Sequence, residues 1–218
     1  MDLLLSDREV RVLGALIEKE ITTPDYYPLS LNALTNACNQ KSNRHPVMAL
    51  DEQAVRETLD DLQHKGLAGP MSTADSRVTK FAHRWQEVFN FDRRETALLC
   101  ELMLRGPQTP GELRAHAERM HRFDDLESLE ATLQKLSERD PPFVKKLPRQ
   151  PGTKESRYAQ LLAGEKPEWT AAAAEPAVAS TSHPSGEQIL RLETEIGDLR
   201  HQLADLQQQF MEFKKQFE

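Results

Sequence analysis

The sequence predicts a mainly α, α+β fold: two tandem winged-helix domains, a flexible linker and a C-terminal coiled-coil helix. Three observations predict it. The same helical script occurs twice, about 80 residues apart, and a repeat of this kind sets the architecture. Residues 8–16 (REVRVLGAL) align with 94–102 (RETALLCEL), and 55–62 (VRETLDDL) with 129–136 (LEATLQKL). In each copy a short helical segment lies between these anchors and a Pro/Gly-broken extended stretch follows them, giving helix, helix, helix, hairpin. Near the C-terminus, Ile189, Leu192, Ile196, Leu199, Leu203, Leu206, Phe210, Phe213 and Phe217 recur at strictly alternating spacings of three and four. The expected divisions are a first winged helix over 1–86, a second over 87–163, a disordered linker over 164–186 and a coiled-coil helix over 187–218.

The first helix carries a full start signal. Ser6 and Glu9 form the S-x-x-E capping box, with Leu5 and Val10 as its hydrophobic staple. Val10, Leu13, Leu16 and Ile17 then make an apolar face at helical spacing, and Thr23-Pro24 ends it because the residue before proline avoids helical angles. A second helix runs from Ser30 to about Cys38, with Leu31, Leu34 and Cys38 facing inward. After the polar connector 39–46, a third helix starts near Asp51, buries Val55, Leu59 and Leu62, and stops at Gly66, which suits a left-handed cap. Residues 67–85 read as a hairpin with a polar tip, and the β-branched and aromatic run 78–85 as its second strand.

The second copy restarts at Asp92-x-x-Glu95 with Phe91 in the staple position. Thr109-Pro110-Gly111-Glu112 opens its second helix with a capping Thr, a Pro at the first helical position and a Glu at the third. Asp124-x-x-Glu127 opens its third, which ends around Pro141-Pro142. Residues 143–147 and 157–159 bracket a Pro/Gly tip, a second wing. From Gly164 the composition turns to Ala, Pro, Ser, Thr and Glu, the signature of a linker. In the final segment, roughly four heptads with Ile189 at position a place Glu195 at g and Arg200 at the following e, a pairing open to two parallel strands. That pattern predicts a homodimer held by this helix, against the plainer reading of an amphipathic helix packed on its own protein.

Composition narrows the function classes. No run of 18 apolar residues spans a membrane and the N-terminus lacks the pattern of a secretory signal, so a cytoplasmic protein is expected. Cys38 and Cys100 lack a CxxC spacing and read as reduced, buried thiols. The net charge of −7 is uneven: residues 1–85 hold 10 basic and 12 acidic side chains, 86–164 hold 13 of each, and 165–218 hold 5 and 10. Most of the acidity therefore belongs to the tail, and two near-neutral repeats are free to carry local basic faces. No P-loop, GxGxxG, GxSxG or HExxH occurs, and His116 and His121, five apart, share no helical face. No enzyme, cofactor or metal is expected.

In a winged helix the third helix enters the major groove and the wing reaches backbone or minor groove. Here the third helices are acidic: Glu52, Glu57, Asp60 and Asp61 oppose Arg56 alone, and Glu127, Glu130 and Glu138 oppose Lys135 and Arg139. The cations gather elsewhere. Lys41 and Arg44 precede the third helix of copy one, and Arg77, Lys80 and Arg84 lie on its wing. In copy two, Lys145, Lys146, Arg149, Lys154 and Arg157 face one acid, Glu155, across 13 residues. Together with Arg56 these are the candidate nucleic-acid contacts; a solvated hairpin without specific role is the alternative.

Four stretches, 5–19 (LSDREVRVLGALIEK), 23–30 (TPDYYPLS), 36–44 (NACNQKSNR) and the wing strand with Arg77, Val78, Lys80, Phe81, His83 and Arg84, resemble the YceH-like family of uncharacterised bacterial proteins. The resemblance covers residues 1 to about 162, implies a tandem winged-helix fold and a bacterial cytoplasm, and implies no mechanism. Two partners stay open: double-stranded DNA, bound through basic wings in a regulatory role, or a protein whose helices the tandem winged helices clamp as an adaptor.

Overall fold

The computed structural model describes residues 4–71, 78–150, 152–153, 155–167 and 169. They belong to one compact unit, residues 1–175. The first copy comprises α1 (Asp7–Thr22), a 3-10 turn at Pro24–Tyr26, β1 (Leu29–Ser30), α2 (Leu31–Cys38), α3 (Glu52–His64), β2 (Ala68–Met71) and β3 (Lys80–His83). A short helix, α4 (Trp85–Phe89), leads to the second: α5 (Arg93–Arg105), α6 (Pro110–Ala117), α7 (Leu126–Ser137), β4 (Val144–Lys146) and β5 (Tyr158–Gln160). The order of three helices and a hairpin is present twice, in an α+β mixture with small antiparallel sheets.

The start signals act as read. The Ser6 hydroxyl accepts from the Glu9 amide at 3.3 Å and the Glu9 carboxylate accepts from the Ser6 amide at 2.7 Å. Asp92 with Glu95 and Thr109 with Glu112 repeat the reciprocal pair. Gly66, at φ +72°, closes α3: its amide donates to the Gln63 carbonyl and the Leu67 amide to that of Leu62, so two terminal carbonyls are satisfied. At α7 the cap is Asp125, one residue beyond the expected Asp124; its carboxylate accepts from the Ser128 amide at 2.7 Å.

The first sheet has the order β1-β3-β2, with Leu29 and Pro70 both opposite Phe81. Pro70 is tolerated because β2 is an edge strand. β1, only two residues long, gives no sequence pattern of its own. In copy two its place is taken by Gln108, which exchanges two backbone hydrogen bonds with Tyr158 beside the β4–β5 ladder. The expected strand to Trp85 ends two residues early. The His83 amide donates to the Tyr27 hydroxyl at 2.7 Å, the chain turns, and Trp85 starts α4 with its indole fully buried. That ring packs on Phe89 and Phe91, and Phe91 meets Phe143 edge-on at 4.9 Å, so the aromatic cluster links the copies.

The two copies share one core. α1 is buried from Glu9 to Glu18 and α5 from Glu95 to Leu104, on all sides rather than along one stripe. They meet at positions equivalent in the repeat: the Cys100 thiol donates to the Gly14 carbonyl at 3.4 Å. A Cβ on Gly14 would lie 3.1 Å from Leu104 Cδ2 and 3.3 Å from Met103 Cβ, so glycine sets the approach of the helices. Both cysteines are free and buried, and burial pushes the Cys38 thiol up to about 12 and that of Cys100 well above its usual value. After β5 the chain returns to its start. The Leu5 amide donates to the Leu162 carbonyl at 2.8 Å, and Lys166 pairs with Asp7 at 2.8 Å. The described residues from Gly164 onward are thus tied to the body where a free linker was expected. The rest of 164–186 and the whole 187–218 seam, Ile189 to Phe217, lie outside the described residues.

Candidate nucleic-acid interface

The third-helix faces are acidic in the structure. Glu52, Glu57, Asp60 and Asp61 of α3 are exposed, as are Glu127 and Glu130 of α7 and Glu138 at its end. The cations here pair with an acid of α5: the exposed Lys135 and, just after α7, Arg139 reach the buried Glu95 at 3.2 and 2.9 Å, and Arg139 also lies over the Phe91 ring at 4.5 Å. Copy one repeats this, with Lys65, just after α3, 2.6 Å from the buried Glu9. Burial pushes the Glu9 carboxyl up, but bonds from Lys65 and Ser6 outweigh it and hold it below its usual value. Each third helix is thus anchored to the capping glutamate of its copy's first helix.

Of the sequence-predicted cations, Lys41, Arg56, Arg84, Lys146 and Arg149 are exposed, and Lys80, Lys145 and Arg157 half-buried. Arg77 and Lys154 lie outside the described residues. Lys145 pairs with Glu165 at 2.6 Å, and Lys146 stands 5.8 Å from the Tyr158 ring.

Arg44 is not on the surface. Its side chain is fully buried, with Nη2 2.5 Å and Nη1 3.3 Å from the Glu18 carboxylate and Nε donating to the Ala37 carbonyl. Arg119, from the second copy, reaches the other Glu18 oxygen at 2.5 Å. Burial pushes the Glu18 carboxyl up, yet the bonds and charge of Arg44, with Arg119, bring it below its ordinary value. Neighbouring Glu101, buried and salt-bridged to Arg105 at 2.8 Å, is raised by burial and by the Glu18 charge against the arginines. The polar connector is therefore a structural clamp. Its Asn39 side chain also brackets Leu50, donating to the carbonyl and accepting from the amide at 2.7 and 2.8 Å.

Two basic segments far apart in sequence do come together. The His45 amide donates to the Leu104 carbonyl at 2.8 Å, and Arg105 donates to the Asn43 side chain at 2.6 Å. Asn43, His45, Arg105, His116 and Arg157, with one acid, Glu112, line a hollow of about 330 Å³ where the connector, the α5–α6 corner and the second hairpin meet. His116 sits 2.6 Å from the Gln108 side-chain oxygen, and burial, with the Arg105 charge, lowers its pKa. A neighbouring cavity of about 460 Å³ shares His45 and Arg157 and is walled by Leu102, Met103, Leu147 and Trp169. Lys80 on β3 and Arg84 at the start of α4 line neither space.

Arg11 also lines the larger cavity, and no reading of the sequence singled it out. It is 1% exposed, donating from Nη1 to the Cys38 carbonyl at 3.1 Å and from Nη2 to that of Pro46 at 2.6 Å. Its Nε has no partner, and among the described residues no carboxylate lies within 4.0 Å. Burial, then the like charge of Arg44, lowers its pKa. The signal was present: Arg11 and Glu18, seven apart and so two turns from each other on one side of α1, bracket the apolar run 12–17. Among the described residues no group of three or more His, Cys, Asp or Glu is placed to hold a metal, and no helix is long and apolar enough to cross a membrane.

Comparison with known proteins agrees with the resemblance read from the sequence. The family model described as "Protein of unknown function, DUF480" matches residues 5–153. A UPF0502 protein of Solibacter usitatus is 53% identical over 218 residues, covering all of both chains. One from Koribacter versatilis is 60% identical over 162 residues, 74% of this chain and 75% of its own, and one from Geobacter sulfurreducens 54% identical over 228 residues, covering both fully. The chain belongs to this DUF480, or UPF0502, family of uncharacterised bacterial proteins.

Proposed function

We propose that this is a tandem winged-helix protein that holds double-stranded DNA by its backbone, through the second hairpin and the 41–46 connector rather than through its third helices. One observation carries the reading: Asn43 and His45 of the connector and Arg157 of the hairpin border one hollow, with exposed Lys41, Lys146 and Arg149 on the same two segments. The acidic faces of α3 and α7 would set carboxylates against phosphates if either helix entered a groove, so positioning falls to the hairpin. About four phosphate contacts, from Lys41, Lys146, Arg149 and Arg157, give a salt slope near −4 and micromolar or weaker binding without sequence preference. The C-terminal helix is proposed to pair two copies and double that contact.

Fluorescence anisotropy with a labelled duplex at about 50 mM salt tests the reading. Wild type is expected to bind, and the Lys146→Ala/Arg149→Ala/Arg157→Ala protein to lose most of that affinity. Absence of binding by wild type to any duplex at that salt overturns it.

A specific observation also favours a protein-clamping adaptor. Glu52, Glu57, Asp60 and Asp61 are exposed along α3 and form no ion pair among the described residues. Such a face suits the basic side of a partner helix. A stoichiometric partner that co-purifies and is lost on Glu57→Lys/Asp61→Lys would favour this reading; a protein that purifies alone and binds DNA tightly removes it.

A further inference from the structure

Among the described residues, Arg11 is the one buried cation without a carboxylate within 4.0 Å; the other buried arginine, Arg44, is paired with Glu18. A guanidinium does not deprotonate in proteins, so this charge persists. Burying an ion is costly unless it is paired, and two neutral carbonyls on Nη1 and Nη2 do not neutralise it. Arg44 adds a second positive charge nearby rather than relief. No carboxylate pairs with Arg11, and this residue lies on the wall of a cavity whose one lining acid, Asp7, is taken by Lys166.

That cavity, of about 460 Å³, falls within the range of small-molecule sites, which are mostly apolar with a few convergent polar groups. Leu102, Met103, Leu147 and the half-buried Trp169 supply the apolar walls. Arg157 is the second cation facing the space that forms no ion pair among the described residues, since Lys166 on the rim is matched by Asp7. We propose that this cavity binds a small organic anion, a carboxylate on an apolar ring- or chain-sized body, with the anionic group toward Arg11 and Arg157 and the body against Leu102, Met103 and Trp169. An inorganic anion would leave those walls unused, and a neutral ligand would leave Arg11 uncompensated. The cavity shares Arg157 and His45 with the proposed DNA-facing hollow, but the inference stands whether or not the hairpin binds DNA.

Titration of the full chain with benzoate, phenylacetate and hexanoate tests it, each against its uncharged amide and against sodium phosphate. Heat and tryptophan emission are the readouts; of the two tryptophans, Trp169 lines the cavity and Trp85 is sealed in the aromatic cluster. Wild type is expected to bind at least one carboxylate with Kd below about 1 mM and its amide at least about tenfold more weakly, with no response to phosphate. Arg11→Met is expected to erase the preference for the charged form, and the fold should tolerate it, because an apolar replacement of a buried charge is often neutral or stabilising. Should that variant fail to fold, Arg157→Gln, at a half-exposed site, decides by weakening the carboxylate alone. No binding by wild type up to about 10 mM, equal binding of acid and amide, a response to phosphate only, or carboxylate binding unmoved by either variant overturns the proposal.

Discussion

Replacing Glu18 by glutamine tests the buried junction between the copies. Glu18 is fully buried and receives Arg44 from its own copy and Arg119 from the other, each at 2.5 Å. Removing one partner of a buried ion pair costs about 3–5 kcal/mol because the other is left uncompensated. Arg119 is 41% exposed and can turn to water, so its share is small; Arg44 is sealed and carries most of the loss. Glutamine also keeps the volume and one acceptor, which places the expected cost at about 3 kcal/mol. For a unit of this size that is a fall in Tm of roughly 6–12 °C. The pH dependence follows from the sign of the shift. The Glu18 carboxyl is held below its ordinary 4.5, so its stabilisation is complete above that value and fades as pH falls through the lower folded value. The gap between wild type and variant in thermal or urea unfolding should therefore be wide at neutral pH and close in acid. A variant within 1 kcal/mol of wild type at pH 7, with parallel pH curves, would refute the claim that Glu18 is a desolvated anion clamped by two arginines.

Glu101 is expected to behave oppositely. Its raised carboxyl favours the fold when protonated, a contribution present below 4.5 and lost as pH rises through the folded value, so Glu101→Gln should be neutral or stabilising near pH 7 in the same melts. Gly14→Val should destabilise by about 1–3 kcal/mol through overpacking, since even the first added carbon comes within 3.3 Å of Met103 Cβ; an unchanged urea midpoint would mean the α1–α5 contact is slack. Ser6→Ala removes the α1 cap and should cost about 1 kcal/mol by the same measurement. Light scattering of the full chain against a chain ending at Glu175, the end of the compact unit, should show a loss of mass beyond the removed residues, and monomer masses for both would remove the tail from any pairing.

Much of the fold was legible because its signals are local. Ser6, Asp92 and Thr109 announce their helices through caps that need only three residues, and Gly66 stops α3 through its own φ. What was not legible depends on distant partners. Val12 and Ala15, outside the stripe of Val10, Leu13, Leu16 and Ile17, are fully buried because α1 packs on α2, α3 and α5 alike, so the shared core could not be seen from one stripe of α1. Arg44 reads as a surface cation in a polar loop, and only Glu18, 26 residues away, and Arg119, 101 residues from that glutamate, make it a clamp. Trp85 reads as strand because its neighbours are β-formers, yet burial against Phe89 and Phe91 draws it into α4. In the candidate site, the basic hairpin was visible as composition, whereas its meeting with the connector required the fold.

The most direct test of the proposed function is the salt dependence of duplex binding by three proteins: wild type, the Lys146/Arg149/Arg157 triple alanine, and an α3 variant with Glu57→Gln and Asp61→Gln. Backbone binding by the hairpin predicts a slope near −4 for wild type, about −1 for the triple alanine, and an unchanged slope for the α3 variant. A slope unaffected by the hairpin substitutions, or affinity that changes with the α3 face instead, would contradict it.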